Sequence, residues 1–566
     1  GVDPAELDAA DLSGDGLSDL LIDQGDALVW WPSRGRDGYG TPVRVPKPSD
    51  DAKAPTIVHR DPQVLVALAD MTGDGLADVV RVMGGQVAYW PNLGYGRFGA
   101  CVIMGGTSSL ARDGRVRTDR IRLTDIDGSG TADLVYFDDK GARVWLNGAG
   151  NRFQPPVRIE TIPGAHHLAH ADVLDLEGTG TGCLVWSSSA PGDREFRLRY
   201  VPLLETKPYL LESVTNGRGL ETTLHYAPST KFYLEDRAAG RPWITRLPFV
   251  VQVVEAVEVV DHITGHRMTS SYAYHHGYFD GPEREFRGFG MVEQRDAEVF
   301  EAGEADPLDV PPVLTKTWFH TGVYLGRERI STQLGEEYWG GDPDAVVLPD
   351  TELPAGLRPE EAREAVRALK GTVLRQEVFS EDGSAQQGVP YSVAESRTGL
   401  RLMQPRAAQR HASVFVHGRE SLSYHYERVV DDPRVQQELT LEMDEYGTVT
   451  RSAAVGYPRR SPAHPEQGQT SVVVSETDVV HQASDGGLFR LGVPSEARSY
   501  ELTGHDGDPL QPWTWQVMAG LVDAAVVVPF ETEVLPGQQV LRLLSQQRIL
   551  YYADDLSGPA PLGSPG

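Results

Sequence analysis

Asp70-Met-Thr-Gly-Asp-Gly-Leu-Ala-Asp78 is one of three closely similar nine-residue loops in the first quarter of this chain. Asp11-Leu-Ser-Gly-Asp-Gly-Leu-Ser-Asp19 precedes it, and Asp125-Ile-Asp-Gly-Ser-Gly-Thr-Ala-Asp133 follows it. A fourth copy, Asp175-Leu-Glu-Gly-Thr-Gly-Thr-Gly-Cys183, keeps the glycines and loses the last carboxylate. Working outward, each intact loop is followed by a Trp twenty residues after its first Asp (Trp31, Trp90, Trp145) and an aromatic eight further on (Tyr39, Phe98, Phe153). Fixed offsets over some thirty residues mark a duplicated structural unit. Short apolar runs flank the loops, as in Val64-Leu-Val-Ala-Leu68, Asp78-Val-Val-Arg-Val82 and Gln86-Val-Ala-Tyr-Trp90. The unit therefore reads strand, acidic hairpin loop, strand, turn, strand, which is most of one β-propeller blade. Three and a half units fall short of a ring of typically 4–8 blades. Either other blades have lost the motif or the chain begins part-way through a larger protein, and a start almost on top of the first loop favours the second expectation.

Bulk properties narrow the function classes. At 566 residues the chain exceeds one core, so two to four domains are expected. A formal charge of −29 argues against a nucleic-acid partner, because phosphate contacts need a basic surface. No apolar run is long enough to insert in a bilayer, and Gly1-Val-Asp-Pro4 shows no signal-peptide pattern. Two cysteines, Cys101 and Cys183, cannot staple a chain of this length.

The fold class expected is mainly β with very little helix: a propeller followed by β-rich middle domains. Residues 1–200 carry the repeats. Residues 201–300 form a first middle domain, ending in the aromatic and charged runs Tyr272-Ala-Tyr-His-His-Gly-Tyr-Phe-Asp280 and Glu283-Arg-Glu-Phe-Arg-Gly-Phe-Gly290. Residues 301–460 form a second, holding the one helix read from the chain, near 359–370. Pro359 stands at its first turn with Glu360 and Glu361, where the dipole favours acids. Ala362, Ala365, Val366 and Leu369 line one face, and Gly371 stops it. Residues 461–566 are expected to start a β shell.

In each intact loop the first, third, fifth and ninth side chains carry oxygen, and such side chains can converge on a hard cation. The candidate calcium ligands are Asp11, Ser13, Asp15 and Asp19; Asp70, Thr72, Asp74 and Asp78; and Asp125, Asp127, Ser129 and Asp133. An EF-hand is excluded, since Ile22, Arg81 and Tyr136 stand where its bidentate Glu belongs. The alternative is an Asp-Gly hairpin whose carboxylates accept backbone N–H groups. The fourth loop is expected to contribute no metal site, and the repeated Trp is read as a blade-packing residue.

The repeats resemble the FG-GAP or VCBS type of propeller repeat. The run Tyr272 to Gly290 resembles the middle region of the B component of Tc (toxin complex) insecticidal toxins, with which SpvB-type virulence proteins share sequence. Val214-Thr-Asn-Gly-Arg-Gly219, Arg498-Ser-Tyr-Glu-Leu-Thr-Gly504 and Asp554-Asp-Leu-Ser-Gly-Pro559 support the match, and Asp444-Glu-Tyr-Gly-Thr-Val-Thr450 is like one RHS/YD unit. The resemblance implies a non-enzymatic scaffold of a secreted, extracellular toxin complex. Its propeller would dock on and gate an A-type pentameric translocation channel. Its RHS-type β-sheet shell, with a C-type component, would enclose a toxic effector. The long RHS tract and the region upstream of the propeller are missing here, so the chain corresponds to a central fragment. The alternative is a calcium-dependent adhesion or glycan-binding propeller. No cofactor beyond Ca2+ is implied.

Enzymatic readings are weak. SpvB-like proteins can carry an ADP-ribosyltransferase, but Glu531-Thr-Glu533 and Thr269-Ser-Ser271 lie too far apart for one compact domain. His166, His167 and His170 read as a solvated loop edge. His275 and His276 should point to opposite faces of a strand. In Glu283-Arg-Glu-Phe-Arg287, Phe286 is expected in a sheet core with Phe289, the charges pairing across strands.

Overall fold

The computed structural model describes residues 8–564, except 14–16, 36–37, 49, 51, 56, 58–62, 108–109, 111–115, 300–309, 325, 408, 483–488, 506–510, 536 and 554–556. Asp15 and the Asp554-Asp-Leu556 stretch thus lie outside the described residues. The chain divides into two compact units. The first comprises Gly1–Val214, Thr223–Glu255 and Phe279–Phe286; the second comprises Thr215–Thr222, Ala256–Tyr278 and Arg287–Gly566.

The first unit opens with four successive antiparallel meanders, the blades of a propeller-type fold. Blade 1 is Asp8–Ala10, Asp19–Asp23, Ala27–Trp31 and Val43–Pro46. Blade 2 is Val64–Ala69, Asp78–Met83, Gln86–Trp90 and Val102–Ile103. Blade 3 is Ile121–Thr124, Asp133–Asp138, Gly141–Trp145 and Val157–Ile159. Blade 4 has three strands, Ala169–Leu174, Cys183–Ser188 and Leu198–Pro202. In each blade the nine-residue loop joins the first two strands, and in blades 2 to 4 its glycines supply the positive φ of a tight turn: Gly73 and Gly75 both sit at +83°.

Blades are held by side-chain layers buried between neighbours. Leu12, Leu21, Leu28 and Trp30 of blade 1 pack with Val79 and Trp90 of blade 2. Met71, Val80 and Tyr89 of blade 2 pack with Leu134, Tyr136 and Trp145 of blade 3. Val135, Phe137 and Val144 of blade 3 pack with Leu184 and Trp186 of blade 4. The repeated Trp is thus a packing residue in blades 2 and 3, where Trp90 and Trp145 are almost fully buried. In blade 1 the buried ring is Trp30, while Trp31, at the repeat position, is only half-buried.

A fifteen-stranded sheet runs from Ser213–Thr215 onward, with strands in chain order until the end. There Val540–Arg548 pairs antiparallel with Arg490–Thr503, and Val526–Val528 lies parallel at the edge. One face is buried by alternate residues such as Leu439, Leu441, Val455, Val474 and Leu502. Among the described residues there are four α-helices where the sequence reading found one: α1 Ser229–Ala238, α2 Arg327–Gly335, α3 Pro359–Ala368 and α4 Trp515–Ala524. α3 matches its expectation: Ala365, Val366 and Leu369 are buried, and Glu361 accepts the N–H of Arg358 at 2.9 Å. α4 was hidden in a run read as strand; Thr514 caps it, and Met518 and Val522 cover the sheet. α1 escaped because it has no apolar stripe, burying only Phe232 beside Ser229 and Asp236. No described helix is long and apolar enough to cross a membrane.

Two expectations for the Tyr272–Gly290 run are corrected. His275 and His276 do not alternate outward and inward: both are buried, and His276 takes φ +59° in the middle of Arg267–Asp280. His276 Nε2 lies 2.7 Å from Glu337 Oε1. In the following strand, Glu285–Val299, Arg287 is the buried side chain, donating to the carbonyl of Gly322, while Phe286 and Phe289 are half-buried. Phe289 rests against the ring of Tyr274, 4.9 Å between centroids.

Candidate functional site

The repeated loops use their carboxylates first to fold. Asp19, Asp78 and Asp133, the ninth residues, are wholly buried. Each accepts two backbone N–H groups, one from the loop's second residue and one from the residue two beyond the repeated Trp. Asp78 takes Met71 N at 2.9 Å and Asn92 N at 2.7 Å; Asp133 takes Ile126 N at 3.0 Å and Asn147 N at 2.7 Å; Asp19 takes Leu12 N at 3.1 Å and Ser33 N at 2.8 Å. The first residues close the turn: Asp70 accepts from Gly73 N and Gly75 N, and Asp125 from Gly128, Ser129 and Gly130 N. Such charge-assisted bonds pin the loop without a metal.

Burial has an electrostatic consequence. Desolvation, reinforced by the neighbouring loop carboxylates, pushes Asp78 up to about 6 and Asp133 up to about 7 despite their N–H donors. The third loop goes furthest towards a cation site. Asp125, Asp127 and Asp133 each bring a carboxylate oxygen within 4.8 Å of the other two, the one such group among the described residues. Carboxylate oxygens carry two lone pairs each, so an oxygen already holding one N–H retains capacity for a cation. Ser129 instead bonds Thr131, Oγ to Oγ1 at 3.0 Å. In the second loop, Thr72 Oγ1 is 3.3 Å from Asp70 Oδ1, and Asp74 is exposed and accepts from Leu76 N. In the first loop Asp11 is half-buried, and Ser13 Oγ is buried with no hydrogen bond among the described residues.

The fourth loop keeps the fold by other means. The sulfur of Cys183 takes the N–H of Leu176 that a carboxylate takes elsewhere, and burial raises its thiol. Thr230 of α1 donates to the carbonyl of Gly178, and Gln252 Nε2 to that of Thr179 at 2.6 Å. This loop is covered by its own unit, whereas a Cβ on Gly75 of the second loop would meet nothing.

Sequence reasoning missed Asn92 and Asn147, which join one blade to the next. Asn147 Nδ2 donates to Met71 O of the preceding blade and to Ala132 O, both at 3.0 Å, and its Oδ1 accepts Gly150 N at 2.9 Å. Asn92 Nδ2 reaches Leu12 O at 3.3 Å and Ala77 O at 3.0 Å. The signal was present as Trp-x-Asn in two copies, with Ser33 replacing Asn in the first.

The second unit holds a buried ionic cluster that spacing also concealed. Arg375 Nε lies 2.7 Å from Glu377, and its Nη1 contacts Glu395. Those carboxylates accept Trp339 N at 2.8 Å and Leu348 N at 2.6 Å, and Arg375 stacks 4.7 Å from the Tyr338 ring. The cluster thereby ties residues 338–348 to the sheet. The residues weighed for catalysis do not assemble: Thr269 and Ser270 pair with Glu258 and Val257 inside the sheet, and Glu531 and Glu533 are exposed. His166 and His167 precede the first strand of blade 4, and His170 is exposed within it.

Comparison with known proteins places this geometry. Residues 146–322 match the family model "Insecticide toxin TcdB middle/N-terminal region", and residues 364–488 match "Insecticide toxin TcdB middle/C-terminal region". The chain is similar over 99% of its length to a chain in the Photorhabdus luminescens Tc holotoxin pore, at 29% identity and a TM-score of 0.79. It is similar over 99% of its length to crystal structures of TcdB2-TccC3, at 28% identity and a TM-score of 0.76, and of TcdB2-TccC3 without its hypervariable C-terminal region, at 28% and 0.77. The chain spans about a quarter of the chains it matches. No curated protein matches it.

Proposed function

Because this chain belongs to the B-component family of Tc insecticidal toxins, we propose that it serves as a non-enzymatic scaffold that docks on and gates a translocation channel and walls in a toxic effector. The observation that carries this reading is the end-to-end match to a chain of a Tc holotoxin pore. The architecture is suited to it. Blades with buried interlayers make a rigid platform, and a fifteen-stranded sheet covered on one face is the material of a wall. In this reading residues 1–200 are the propeller, 201–300 and 301–460 the middle domains, and 461–566 the beginning of the RHS-type shell. The partners are an A-type pentameric channel and a C-type component carrying the effector, in an extracellular complex. The candidate calcium ligands of the third loop would stiffen the platform and take no part in chemistry.

Mixing the protein with A-type pentamers and following co-elution by size exclusion tests the docking role. Stable co-elution is expected. Separate elution over a range of concentrations and pH values would count against the assignment of the propeller as the dock.

A further inference from the structure

The chain carries a strong negative charge, yet one cleft between blades 3 and 4 gathers three arginines and three histidines. It has a volume of about 240 Å³ and is lined by Arg117, Arg120, Arg122, His166, His167 and His170; among the described residues Asp119 is the acidic residue of the lining, and Asp193 and Asp172 stand 3.7 Å from His166 and His170. That space far exceeds the ~10–15 Å³ that one water needs.

The cations divide by what they already hold. Arg117 is paired with Asp119, Nη2 to Oδ2 at 2.6 Å and Nε to Oδ1 at 3.1 Å. Arg122 is locked as the cleft floor: its Nε meets Asp172 Oδ1 at 2.8 Å, Nη1 meets the carbonyls of Asp119 and Ile121, and Nη2 that of Ala171 at 2.8 Å. Arg120, half-buried, has no hydrogen bond or ion pair to its guanidinium among the described residues. His166 Nδ1 accepts the N–H of Leu168 at 3.2 Å, leaving Nε2 as its donor, 3.7 Å from Asp193 Oδ2. His170 Nε2 stands 3.7 Å from Asp172 Oδ2, and the ring of His167 lies 6.1 Å from that of His166. Asp119 and Asp172 are thus each answered by an arginine, and His166 Nε2 and His170 Nε2 lie towards the carboxylates of Asp193 and Asp172, which leaves the Arg120 guanidinium as the cleft's donor without a partner among the described residues.

We infer that this cleft binds an oxyanion group, a sulfate or phosphate, with the Arg120 guanidinium as its principal ligand. A guanidinium presents a rigid fork of donors matched to two oxygens of a tetrahedral anion. A guanidinium with no counter-ion is what lets an anion approach a chain of net charge −29. The inference stands apart from the docking role, since it concerns one cleft and one small ligand.

Titration calorimetry of the whole chain at constant ionic strength, with sodium sulfate and separately with a sulfated disaccharide against its unsulfated parent, tests it. Saturable sulfate binding is expected, weakened about tenfold or more by Arg120→Ala and partly restored by Arg120→Lys. An unchanged melting temperature of the variants shows that the fold is intact. Binding of the disaccharide well above inorganic sulfate assigns the group to a glycan, and equal binding assigns it to the free anion. Absence of saturable binding by either probe, or binding indifferent to Arg120→Ala, overturns the proposal.

Discussion

Replacing Asn147 by Ala should weaken the seam between blades 2 and 3. Asn147 is buried and makes three hydrogen bonds of about 3 Å, to Met71 O, Ala132 O and Gly150 N. Alanine fills none of them and leaves backbone groups unpaired between two packed sheets. Each lost bond costs about 1 kcal/mol net, and a buried group left unsatisfied costs roughly 1–3 kcal/mol. The expected loss is therefore about 3–6 kcal/mol, a large part of a domain stability of roughly 5–15 kcal/mol. At roughly 2–4 °C per kcal/mol for a unit of this size, the low end corresponds to a drop of roughly 6–12 °C. Ser33 is the internal control. It holds the same repeat position, but its side chain makes only a 3.3 Å contact with Gly35 N at the surface, so Ser33→Ala should cost less than about 0.5 kcal/mol. Denaturant unfolding followed by tryptophan fluorescence reads the difference, because Trp90, Trp145 and Trp186 all lie in the layers between blades. Hydrogen exchange at Gly150 locates it. If Asn147→Ala and Ser33→Ala proved equally mild, the idea that this amide joins the blades would fail.

Three further outcomes follow from the same geometry. Asp133, pushed up to about 7 in the fold from a usual value of 3.8, contributes stability that is present below about pH 4 and lost as pH rises through 7. The melting temperature of the protein relative to Asp133→Asn should therefore fall between pH 5 and pH 8 in EDTA, and a flat difference would contradict the burial argument. Excess calcium should raise the melting temperature of the protein but not of Asp127→Ala, as expected if the third-loop triad takes the ion; equal shifts in both would remove that loop as the site. Arg375→Ala strands Glu377 and Glu395 in the sheet interior and should cost about 3–5 kcal/mol. Proteolysis within 338–348 should accelerate in parallel, and unaltered cleavage would show that the cluster does not tie that segment down.

Much of the blade architecture was legible because its causes are local. Gly73 and Gly75 make the turn, alternating apolar residues make the strands, and the expected Gln86–Trp90 strand is found with those bounds. α3 was legible for the same reason: Pro359, two acids, an apolar face and Gly371 all act within one helix. The acidic loops announced themselves as well, but not the division of labour within them. Spacing treats Asp125 and Asp133 alike, whereas burial makes the ninth residue a clasp for two backbone N–H groups.

What the sequence could not reveal depends on a second element arriving. Asn147 is an unremarkable polar residue until Met71 of the preceding blade presents a carbonyl to it. α1 lacks an apolar stripe, and the fourth loop that Thr230 and Gln252 bond belongs to a distant part of the chain. His275 and His276 are both buried, and the backbone at His276 adopts a positive φ that strand spacing does not foretell. Arg375, Glu377 and Glu395 read as ordinary surface alternation until packing removes water and forces them together. Turn and strand preferences act over a few residues and are written in the chain. Desolvation and hydrogen-bond satisfaction are set by whichever partners packing brings, and only the tertiary structure decides those.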